Sequence, residues 1–76
     1  MNKARRDQIA EIGARLMEIK SQLETIQQDE QDYADNMPEN MQGSERHEKA
    51  EAAAQSLQEA VDSLDEIDAA LASAAE

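Results

Sequence analysis

Cysteine, phenylalanine and tryptophan are absent from the 76 residues, and Tyr33 is the only aromatic. Without cysteine, no disulfide or thiolate zinc site can brace the chain. Without large aromatics, the apolar side chains must come from Ile, Leu, Val, Met and Ala. There is one histidine and no glycine-rich phosphate loop, so neither a nucleophile–base–orienter triad nor a phosphate cradle can be assembled. The chain is therefore expected not to be an enzyme and to carry no cofactor. Basic residues are also scarce: 7 Lys and Arg stand against 18 Asp and Glu, a net charge of −11. Such a chain should be repelled by nucleic acid and by anionic membrane, and drawn to a basic surface. No apolar run approaches the ~18 residues of a membrane span, and the first residues lack the apolar region of a signal peptide. The expected location is the cytoplasm.

What is present is a pair of apolar runs with heptad spacing. The first is Ile9, Ile12, Leu16, Ile19, Leu23, Ile26 and Tyr33; the second is Ala50, Ala53, Leu57, Ala60, Leu64, Ile67, Leu71 and Ala74. Alternating steps of three and four keep each run on one stripe of a helix. The runs match in reverse when the chain folds back between Asn36 and Gly43, Ile9 against Leu71 and Leu23 against Leu57. The spacing thus predicts an all-α, antiparallel two-helix hairpin occupying residues 1–76 as one domain. The first helix should span about 3–35, the connection 36–43 and the second helix about 44–74. Charge supports the same alignment. Residues 1–20 carry Lys3, Arg5, Arg6, Arg15 and Lys20 against Asp7, Glu11 and Glu18, while the end of the second helix is acidic. Both placements oppose the helix dipole, and become favourable when the hairpin sets them side by side.

Two helices meeting along one seam bury little surface. Self-association into a four-helix bundle or larger helical oligomer is the expected remedy. A second patch of Ala10, Ala14, Met17, Ala54 and Val61 beside the main seam is the surface this reading favours. Gly13 marks a possible close approach of another helix. Gln27 and Gln55 should face solvent.

Around the break, Pro38 forces Met37 out of helical geometry. Asn36 with Glu39 is positioned to cap a short helical turn. Gly43 frees the backbone and Ser44 is a good N-cap. Asn36, Pro38, Asn40 and Gln42 form a candidate recognition loop, with Met37 and Met41 placed to cap the end of the core. Glu30 falls on the seam, within expected reach of Arg46 or Lys49. The acids Asp29, Glu30, Asp32 and Asp35 lack the spacing of an EF-hand, and no Glu-x-x-His pair of a di-iron bundle occurs; a metal site is not expected. His47 reads as a packing or solvated histidine.

The segment Tyr33-Ala34-Asp35-Asn36-Met37-Pro38-Glu39-Asn40-Met41-Gln42-Gly43-Ser44-Glu45, between two heptad helices, resembles the junction of small acidic helical-hairpin proteins encoded in phages and prophages. The likeness rests on Asp35, Asn36, Pro38, Glu39, Asn40, Gln42, Ser44 and Glu45, with a basic start and an acidic, Leu/Ala-rich second helix on either side. It implies a phage or prophage accessory protein and carries no activity. The expected function is therefore non-enzymatic interaction, countering a host defence factor through an acidic surface. Asp62, Asp65, Glu66 and Asp68 are the candidate partner-binding residues, contacting a basic host protein. An alternative is an oligomer sequestering a small nucleotide signal through Arg46 and Lys49; another is a structural phage component.

Overall fold

The computed structural model describes residues 1–76 and contains two long helices joined by a short, folded connection. Helix α1 spans Lys3–Asp35 and helix α2 spans Glu45–Ala74. They pack against each other along their length in an antiparallel hairpin measuring 59 × 15 × 12 Å. No helix is long and apolar enough to cross a membrane.

The helix starts are set by side-chain caps. Asn2 Oδ1 accepts from the Arg5 N–H at 2.9 Å, and Ser44 Oγ accepts from the His47 N–H at 3.2 Å, each satisfying an N–H that the first turn leaves free. Glu45 and Glu48 lie in the first turn of α2, where the helix dipole favours carboxylates. The last turns of α1 are acidic instead, and neighbouring amides compensate. Gln28 Nε2 donates to Asp32 at 2.9 Å and Gln31 Nε2 donates to Asp35 at 3.0 Å.

The seam differs from the one the heptad runs predict. Ile9, Leu16 and Leu23 do face α2, but they share the interface with Gly13, Lys20, Gln27 and Ala34. On α2 the most buried positions are His47, Ala50, Ala54 and Val61, with Leu57, Leu64 and Leu71 half-buried beside them. Ile12, Ile19, Ile26, Tyr33 and Ile67, expected inside, are each between 45 and 53 % exposed. Both helices are thus rotated about their axes from the expected facing. The side chains buried in the seam are small, Ala34, Ala50, Ala54 and Val61 among them, while Ile12, Ile19, Ile26 and Ile67 stay half-exposed beside it. Ala54 and Val61, expected on a second patch, lie in the seam itself, and Gln27 is half-buried rather than solvent-facing. Gly13 lies in the interface, but no tight approach of backbones requires a glycine there. A Cβ there would lie 3.8 Å from Asp68 Oδ1 of α2.

The connection is compact. Ala34, Met37 and Ala50 form its small core, with Met41 packed against them, so both methionines close the end of the hairpin. Glu39–Met41 makes one 3-10 turn whose N-cap is Pro38, with no side-chain cap; Asn36 does not cap it. Gly43 has φ +80°, a left-handed conformation costly for any residue with a Cβ. That residue turns the chain into Ser44 and α2.

Candidate functional site

The hairpin has two broad sides, and the rotation of its helices decides what each presents. On one side, Tyr33 of α1 and Arg46 of α2 meet at the loop end in a cleft of about 500 Å³ that also takes in Glu30, Glu45, Lys49 and Ala50. On the other side, Met17 and Ala10 of α1 lie by Ala72 of α2 in a shallow groove that Ile9, Gly13 and Leu71 floor.

The Tyr33 side is apolar along its length, with its charges gathered mainly at the loop end, where Glu30 and Glu45 stand beside Arg46 and Lys49. Along α1 it carries Ile12, Ile19, Ile26 and Tyr33; along α2 it carries Ala53, Ala60 and Ile67, recurring at heptad spacing. Seven large apolar side chains of the molecule are exposed, and five of them lie on this side; only Met1 and Met17 do not. Its outer margin on α2 consists of Lys49, Ser56, Ser63 and Ala70; Glu45, which pairs with Lys49 in the loop-end cleft, is the one acid of that helix among the cleft's residues. Five large side chains on one neutral stripe form a contiguous patch rather than scattered surface residues.

The acids of α2 point elsewhere. Glu59, Asp62, Asp65, Glu66 and Asp68 are all exposed, but they are not equivalent. Asp65 is engaged: Lys20 Nζ of α1 lies 2.6 Å from its Oδ1, the one ion pair that joins the two helices. This hydrogen bond holds the Lys20 ammonium above the usual lysine range; partial desolvation opposes the shift, and the charges of Asp65, Glu24 and Asp68 add to it. Asp68 lies over Gly13 at the edge of the seam. Asp62 accepts from Gln58 Nε2 at 3.1 Å. Glu59, Asp62 and Glu66 have no cationic partner. Of the candidate set Asp62, Asp65, Glu66 and Asp68, therefore, Asp62 and Glu66 remain open, Glu59 joins them, and Asp65 is largely committed. The basic start of α1 does not take up these acids. Lys3 pairs with Asp7 at 2.9 Å and Arg15 with Glu11 at 2.7 Å, both within α1, and neither Arg5 nor Arg6 forms an ion pair with α2.

The loop residues separate into two roles. Asn36, Pro38 and Asn40 are exposed at the tip. Gln42 is structural, because its Nε2 donates to Met37 O at 2.9 Å and reaches Ala34 O at 3.5 Å. The Gly43 N–H donates to His47 Nδ1 at 3.3 Å, and His47 Nε2 faces Glu51 Oε1 at 3.1 Å. His47 is thus a buried, hydrogen-bonded histidine that ties the loop to α2. Sequence reasoning left it without a partner; a glycine four residues before a histidine near a helix start was the available signal.

Arg46 and Lys49 do share the Tyr33 cleft, but Glu30 and Glu45 balance their charge there, and Lys49 Nζ is 3.1 Å from Glu45 Oε1. Glu30 is half-buried and makes no ion pair with either base. No three His, Asp or Glu side chains are gathered so as to hold a metal ion. No protein-family model matches the chain, and comparison with curated proteins and with solved structures finds no match to it.

Proposed function

We propose that this chain is a non-enzymatic interaction protein that self-associates through its apolar side and offers its acidic side to a basic partner. The setting that fits is the phage or prophage accessory role implied by its junction, with the partner a host defence factor whose nucleic-acid-binding surface the carboxylates occupy. One observation carries the reading: the molecule sorts its side chains into a neutral apolar face and an acidic face on which Glu59, Asp62 and Glu66 have no cationic partner. Exposed carboxylates without internal partners keep their full field for an external cation, and steer a basic protein onto that side.

The competing reading, capture of a nucleotide by Arg46 and Lys49, draws on their shared cleft with Tyr33. Two carboxylates in the same cleft make it a poor anion site, so the acidic-face reading is preferred.

The test is a triple variant, Glu59→Gln with Asp62→Asn and Glu66→Gln, against an Arg46→Gln with Lys49→Gln control. Immobilised polylysine and a panel of basic DNA-binding proteins serve as probes, with a nucleotide panel alongside. The triple variant should keep its helicity and lose most binding to the basic probes. Binding by the parent chain should fall steeply as salt shortens the screening length to about 10 Å at 0.1 M. Unchanged binding by the triple variant, or nucleotide binding abolished in the control, would overturn the reading.

A further inference from the structure

We infer that the apolar side is closed by a second copy of the same chain, set with both loops at the same end, so that α1 of each copy lies beside α2 of the other. The inference deepens the self-association just proposed and rests on it, because it names the face and the arrangement.

The hairpin alone leaves its burial incomplete. Only 6 of 76 residues are buried, and no large side chain is fully so. A chain of this size, without disulfide or metal, needs an added staple to hold a single structure. The footprint suits a partner. A side of a body 59 by 15 Å offers roughly 900 Å², against the about 800 Å² per partner of a standard specific interface. The opposite groove is the weaker candidate, because Met17 is its one large exposed apolar side chain, against five on the Tyr33 side.

Self-complementarity makes a second copy the occupant that fits. A twofold interface must match itself, and in a chain of net charge −11 this face, whose Glu30 and Glu45 are balanced by Arg46 and Lys49, does so where a purely acidic face would repel its copy. On each hairpin, Leu16 and Leu64 line one groove, and Tyr33 and Arg46 another, which fixes the levels of the two helices. Counting along from those levels, Gln22 stands level with Ser56, and Asp29 with Lys49. With both loops at one end, the copies meet at these same levels. Asp29, the acid on the α1 margin, then faces Lys49, the base on the α2 margin, whose pairing with Glu45 within one copy lies at the surface. Bulky Ile19 and Ile26 of α1 stand beside Ala60 and Ala53 of the neighbouring α2, large against small, as interlocking packing requires. With loops at opposite ends, α1 would meet α1 and isoleucine would meet isoleucine, while Lys49 would face Ala70 at the far end of the α2 margin. The loop-end cleft gains a further match: Glu30 and Arg46, unpaired within one copy, are brought near their counterparts across the axis.

The test uses sedimentation equilibrium and cysteine pairs, which are unambiguous because the chain has no native cysteine. The sedimented mass should be twice that of one chain. An equimolar mixture of Gln22→Cys and Ser56→Cys proteins should form a mixed disulfide on mild oxidation, in large excess over either self-linked product. Ile26→Glu should return the protein to monomer and Met17→Glu should not, with circular dichroism reporting helicity of each. A helical monomer of the parent chain that still binds polylysine would overturn this inference and leave the acidic-face reading standing. A dimer linked mainly through Gln22→Cys to itself would overturn the arrangement. A dimer broken by Met17→Glu but not by Ile26→Glu would overturn the face.

Discussion

At the scale of single residues, Lys20 is the side chain whose chemistry the fold changes most clearly. It reaches from the edge of α1 across the seam to Asp65, and the hydrogen bond raises its pKa. A lysine whose folded pKa lies above its unfolded value adds stability that is fully present below about pH 10.4, the ordinary lysine value. That contribution is lost as pH rises through the raised folded value. We therefore expect the stability of the parent chain to decline in the alkaline range, and Lys20→Met to flatten that part of the profile. Urea denaturation across pH 8 to 12 measures it, and an identical profile for both proteins would rule the linkage out. The pair is at the surface, so the effect should be modest. Arginine at position 20 would keep the charge through this range and should not show the decline.

At the scale of elements, the seam is governed by small residues. Ala54 is 1 % exposed, while Ala52 on the same helix is exposed. Enlarging both to leucine separates the two environments. Ala54→Leu must push the helices apart or strain its rotamer, costing about 1–3 kcal/mol. Ala52→Leu should change stability by no more than about 0.5 kcal/mol. Equilibrium denaturation of the two variants checks this, and equal effects would mean that the helices face each other differently. The hairpin, its antiparallel sense and the cap at Ser44 were legible from spacing, charge and turn chemistry. The facing of the helices was not, because the larger apolar residues define a heptad stripe without revealing which flank of it meets the neighbour. Leu16, Leu23, Leu57 and Leu64 lie near the centre of both alternatives. The choice rests on whether isoleucine or the smaller Gly13, Ala34, Ala54 and Val61 enters the contact, and in the fold it is the smaller set that does. The candidate acids were legible as a group, but not the commitment of Asp65. A lysine on the edge of α1 reaches it only once the helices turn that edge inward.

At the scale of the whole molecule, the hairpin is long, thin and mostly solvent-exposed, with its apolar side uncovered in the single chain. If a second copy covers it, folding and association are linked, and the melting temperature must rise with protein concentration. Thermal melts at concentrations spanning two decades in the micromolar range should show that rise, with Ile26→Glu melting lower and independently of concentration. A concentration-independent melt of the parent chain would show that one hairpin is sufficient by itself.

The uncovered isoleucines also bear on how long the protein survives in a cell. A lone hairpin exposes a stripe that chaperones and proteases read as damage, and its open state is the one that is cleaved. If the proposed pairing holds, coupling stability to concentration would set a dose threshold. While synthesis kept the chain abundant, copies would shield one another and turnover would be slow. Once synthesis stopped, dilution would leave single hairpins, and clearance would accelerate as the level fell. The open face would in this way serve as a timer, ending the activity of the protein soon after its production ceases.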